Sequence, residues 1–144
     1  MLGANEYLVK GAVGFDDLVA MVKKKAIGSK ATEKDGMVKF TIGRTVKMPC
    51  GCEVGKEMGV NTWAAFYGSD EHAFVDGDFA TFEGELQPVL KALRAHDINV
   101  VAIHNHMEGE NPRVIFLHYW GVGPAAELAK GFKAALDTQK GQRQ

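Results

Sequence analysis

The hydrophobic positions of this chain change period several times. Phe15, Leu18, Val19, Val22 and Ala26 recur at helical spacing with lysines opposite, and Gly28 ends the run, which predicts a helix over Phe15–Ile27. Residues 28–36 are polar and read as a loop. Met37 to Val46 alternates like a strand. The next twelve residues, MPCGCEVGKEMG, hold three glycines and a proline, so 48–60 reads as a second loop.

Beyond Asn61 the pattern is denser. NTWAAFYG and HAFVDGDFA read as strands joined by a turn at Ser69-Asp70. Gly84 to Ala95 reads as a helix with Leu86, Val89, Leu90 and Leu93 on one face, and Pro88 is tolerated in its first turn. INVVAIHNHM, EGENP and RVIFLHYW read as strand, hairpin loop and strand. Pro124 to Leu136 reads as a closing helix with Leu128, Phe132 and Leu136 inward. The order from Asn61 is β-β-α-β-β-α. It predicts an α+β fold, a mainly antiparallel sheet with helices packed on one face. A chain of 144 residues, without repeats, is expected to form a single domain spanning 1–144.

The hairpin carries three of the five histidines. His104 and His106 share a strand face. With the loop centred near Gly109 to Asn111, paired positions sum to an even number, and His118 joins them on that face, opposite His104 or one pair away. Three imidazoles so placed are a candidate metal site. Val100, Ala102, Val114, Phe116 and Trp120 are expected on the histidine face, and Val101, Ile103, Ile115, Leu117 and Tyr119 on the other. Both faces are apolar, so cover is expected on both, with the histidines lining a pocket, a barrel interior or a subunit interface.

Other residues join more weakly. His72, Asp76 and Asp78 share parity along one strand, as a further ligand or as carboxylates that orient a histidine; alternatively Asp76-Gly77-Asp78 is a bulge or strand end. Glu85, early in a helix, reads as a dipole charge or a general base. His96 suits a helix C-terminus. Trp63, Phe66 and Tyr67 read as core. Cys50-Gly51-Cys52 could be a bridge, two free thiols or a soft-metal clip.

Composition narrows the classes. With 46% apolar and 24% charged residues the chain is globular rather than disordered or fibrous. A net charge of -1 gives no electrostatic case for nucleic acid. Lys23, Lys24 and Lys25 read as the wet face of a helix. No transmembrane stretch is expected, and the first fifteen residues lack the basic region and apolar run of a signal peptide. Serine-nucleophile, P-loop and dinucleotide motifs are absent from the sequence.

Three segments carry a resemblance. GVNTWAAFYGSDEHAFVDGDFA, ELQPVLKALRAHDINVVAIHNHM and PRVIFLHYWGVGP closely resemble the LppY/LpqO lipoprotein family, a bacterial domain of largely uncharacterised function. The likeness runs from Gly59 to Leu136. Its most specific piece is His104, His106, Met107, Pro112, Arg113, Phe116 and His118, with Gly77, Asp78 and Phe79 matching a second step. The resemblance implies a periplasmic or extracellular protein. The chain departs from it in lacking a lipobox and in carrying the C-G-C loop.

The leading expectation is a metal-binding domain for carriage, sensing or structural support, with His104, His106 and His118 as ligands, zinc first and copper second. The second is a zinc enzyme acting through metal-bound water with Asp78 or Glu85 as base. The third is a ligand-binding or oligomerisation domain, a homodimer included, that uses the apolar face around Phe116 and Trp120.

Overall fold

The computed structural model describes residues 31–139. The helix expected over Phe15–Ile27, with its lysine run, lies outside them. The described strands are β1 (Ala31–Lys34), β2 (Met37–Gly43), β3 (Val46–Lys47), β4 (Glu53–Val54), β5 (Asn61–Gly68), β6 (Ala73–Phe82), β7 (Asn99–His104) and β8 (Val114–Gly123). The helices are α1 (Leu86–Ala95) and α2 (Ala125–Asp137), with short 3-10 turns at Lys56–Met58 and Glu83–Glu85. Six strands form an antiparallel sheet ordered β1-β2-β5-β6-β8-β7, and β3 and β4 pair separately. The fold is α+β, with the β-β-α-β-β-α order from Asn61.

Two stretches expected to be loops contain strands. Ala31–Lys34 pairs with β2 through a turn at Asp35 and Gly36, whose φ angles of 50° and 76° are both left-handed. An Asp-Gly pair is the chemistry a two-residue hairpin turn requires. The strand is polar because three of its four residues are exposed. Residues 48–60 likewise hold β4 and a 3-10 turn.

Alternation along the long strands builds the core. Val38 and Phe40 from β2, Ala64 and Phe66 from β5, Val75 and Phe79 from β6, and Leu117 and Tyr119 from β8 are buried on one face. Val89 and Leu93 of α1 and Leu128, Phe132 and Leu136 of α2 close over them, with Leu86 and Leu90 half-buried beside them. Gly131 lets α2 approach closely: a Cβ there would stand 2.7 Å from the Cβ of His96, the residue that ends α1.

The opposite face is covered only at one end. There Val46, Val60, Ala80, Val114 and Phe116, with Val54, Phe82 and Met107, form a second, smaller core beneath the β3–β4 hairpin. At the other end Tyr67, Phe74, Trp120 and Val122 are exposed. The expectation of cover on both faces therefore holds for only part of this one. Val100 is also on the helix-covered face, opposite Tyr119, not with the histidines. A bulge at Val101 shifts the register between Val100 and Ala102 and reverses the parity.

Candidate functional site

Register sets the open face. His104 pairs with Phe116 and Ala102 with His118, so the two histidines share a face, one pair apart. On the far side of β8, His118 pairs with Asp78, and Asp78 pairs with Trp63 of β5. Asp76 lies one pair along, between Ala65 and Trp120. Asp76-Gly77-Asp78 is thus the regular middle of β6, neither bulge nor strand end. Gly77 points to the core, where a Cβ would lie 2.2 Å from the Trp63 carbonyl oxygen and 2.3 Å from the Tyr119 hydroxyl. That hydroxyl donates to the Trp63 carbonyl at 2.9 Å.

His118 is held between the two aspartates. Its Nε2 lies 2.9 Å from Asp76 Oδ1 and its Nδ1 3.2 Å from Asp78 Oδ2. Two carboxylates on two ring nitrogens favour the doubly protonated imidazolium. Partial burial acts to lower the His118 pKa, but the bond to Asp78, the charges of Asp78 and Asp76, and the bond to Asp76 outweigh it and raise it. The second oxygen of Asp78, Oδ1, is buried and has no hydrogen-bond partner in the protein.

His106 sits beyond the end of β7 and is exposed. Its ring stacks on Phe116 at 3.6 Å between centroids, and His104 stacks on it at 4.9 Å. Partial burial and the neighbouring His104 lower its pKa, against a smaller upward pull from Asp78. His106 thus gives up its proton more readily than an ordinary histidine, and His118 holds its proton more tightly. Across the cluster Trp63 faces His118 edge-on at 6.2 Å, with Lys39 Nζ 4.5 Å above the indole. Trp120 stacks with Phe74 at 6.1 Å on the uncovered side.

A model of the family described as Domain of Unknown Function (DUF1259) matches residues 22–138, most of the chain. The chain belongs to that family. No curated protein and no solved structure matches it. In this DUF1259 domain, the three hairpin histidines share a face but do not converge, because His118 turns from β8 toward the aspartates of β6. Among the described residues no group of three or more His, Cys, Asp or Glu side chains is arranged to hold a metal ion. His72 is exposed in the turn before β6, where its carbonyl accepts from the Ser69 amide at 2.8 Å.

Glu85 has a different task from the general base considered for it. It forms a two-pronged ion pair with Arg44, with Nη2 to Oε1 at 3.0 Å, and accepts from the Phe82 amide at 2.8 Å and Gln139 Nε2 at 3.2 Å. Burial would raise its pKa, but the Arg44 bond, the Phe82 amide and the Arg44 charge lower it. A carboxylate so occupied is a poor proton acceptor. Arg44, only 4% exposed, also donates to the Ala80 carbonyl.

Trp63 and Tyr67 belong to the open face rather than the core, and of that trio only Phe66 is buried. Lys39, given no role above, is a site neighbour together with Trp63; their alternation with buried Val38, Phe40, Ala64 and Phe66 is the signal that locates them. Cys50 and Cys52 are free and exposed in the turn between β3 and β4. No helix among the described residues is long and apolar enough to cross a membrane.

Proposed function

We propose that this protein is a metal-binding domain, and that a divalent cation, on binding beside Asp78, draws His118 and His106 together as its imidazole ligands. The buried, partnerless Oδ1 of Asp78 carries the reading. An ionised oxygen withdrawn from water without a donor is unfavourable, and a cation offsets it. Two carboxylates face a single histidine ring here, so negative charge outweighs positive in the cluster. His106, on the same face, gives up its proton more readily than an ordinary histidine, which favours binding a metal.

A metal would replace the proton on Nδ1 of His118, while Asp76 keeps its hold on Nε2. This is the usual arrangement in which a carboxylate orients a metal-bound histidine. Loading would then release a proton. Imidazole and carboxylate donors suit zinc first and copper(II) second. His104 acts through its stack on His106 rather than as a third ligand. Carriage, sensing and structural support are the roles open to such a site. Placement outside the cytoplasm rests on the LppY/LpqO resemblance alone.

A second reading is favoured by Tyr67, Phe74, Trp120 and Val122, which are exposed together beside the cluster. In that reading a small organic ligand lies on the aromatic end and brings a hydrogen-bond donor to Asp78. One measurement separates the two: metal content of untagged protein after zinc or copper incubation and desalting, for wild type and Asp78→Asn. About one ion per chain, lost in the variant, supports the metal site. Wild type that stays empty removes it and leaves the organic ligand.

A further inference from the structure

The sheet face does not use the C-G-C turn. Its backbone is pinned: the Met48 amide donates to the Cys52 carbonyl at 2.9 Å and the Gly51 amide to the Met48 carbonyl at 2.8 Å. Pro49 suits the entry to such a turn, and Gly51, at φ 86°, supplies the left-handed residue that closes it. Behind the turn, Lys47 and Asn111 exchange two backbone hydrogen bonds of 2.8 Å, and Pro49 lies 3.0 Å from where a Cβ of Gly109 would be. The turn is thus fixed both to its own hairpin and to the loop after β7.

Cys50 and Cys52 leave this frame as exposed, free thiols two positions apart on the same tight turn. A Cβ at Gly51, between them, would meet nothing within 4 Å, so the tip is open to an incoming ion. We propose that Cys50 and Cys52 form a second, thiophilic site that takes one monovalent copper ion.

This ion prefers soft sulfur ligands, and two thiolates supply them. Two S–H bonds break and two copper–sulfur bonds form. Both protons pass to water, and neither copper nor sulfur changes oxidation state. A disulfide is the competing fate, but a bridge between i and i+2 is geometrically tight.

The test is anaerobic competition. Protein reduced to its two free thiols per chain is titrated into the coloured copper(I) complex of bicinchoninate. Wild type is expected to withdraw about one equivalent of copper(I) per chain, and Cys50→Ser/Cys52→Ser none. Both positions are exposed, so the double variant should fold, which its thermal melt checks. Uptake that persists in Asp78→Asn separates this site from the cluster on the sheet. The proposal is overturned if wild type leaves the complex intact, or if the double serine variant withdraws as much copper as wild type.

Discussion

His118 and Asp78 face each other across β8 and β6 with a ring nitrogen 3.2 Å from a carboxylate oxygen, and the other nitrogen of the same ring is on Asp76. The contact fixes a difference between two histidines of one site. In metal-free protein, His118 is expected to titrate above the ordinary range of about 6.5 and His106 below it. NMR titration of the imidazole protons reads both. Asp78→Asn should lower both values, since Asp78 acts upward on each. A His118 value at or below that of His106 in wild type would contradict the geometry.

The raised pKa of His118 also has a stability sign. The folded state favours its protonated form, so the contribution is complete below about pH 6.5 and is lost as pH rises through the folded value. The ring is 30% exposed and Asp76 39%, so solvent screening limits the effect to about 1 kcal/mol or less. Unfolding free energies from denaturant titrations on either side of this window should differ by that amount in wild type and by less in Asp78→Asn.

The Arg44–Glu85 pair should behave in the opposite direction. Glu85 has a lowered pKa, so its contribution is present above the ordinary carboxylate range and is lost as pH falls through the folded value. Glu85→Ala strands a buried guanidinium and should cost about 3 kcal/mol, measured by urea denaturation at neutral pH. The penalty should shrink in acid, where wild type loses the same interaction.

Gly77→Ala tests the packing behind the aspartates. The new methyl meets the Trp63 backbone and the buried Tyr119 ring, neither of which can turn aside. A loss of about 3 kcal/mol is expected, combining overpacking with damage to the Tyr119–Trp63 hydrogen bond. Thermal melting measures it. A melt unchanged from wild type would mean that β6 can move away from β5 at little cost.

Much of this architecture is legible in the residues. Alternation locates β5, β6 and β8, helical spacing locates α1 and α2, and even-sum pairing puts His104 and His118 on one face. β1 is harder because its exposed strand has no apolar alternation, leaving the Asp35-Gly36 turn as its only mark. The bulge at Val101 is hidden because VVAI is apolar at every position, so neither register leaves a polar residue misplaced. Parity aligns Asp76 with Asp78, but that β8 lies between β6 and β7 is a matter of strand order, which no local pattern states. His118 has imidazoles on one side and carboxylates on the other. Opposite charge turns it to the carboxylates.

The bulge at Val101 has one more consequence. Of the described strands, β1 and β7 form the borders of the six-stranded sheet. β1 is four residues long, and β7 is interrupted at Val101, whose side chain is 57% exposed. Neither offers the long, even row of amides and carbonyls that templates another molecule's strand. Growth by lateral strand addition, the route to fibrils, is therefore disfavoured at both of these borders.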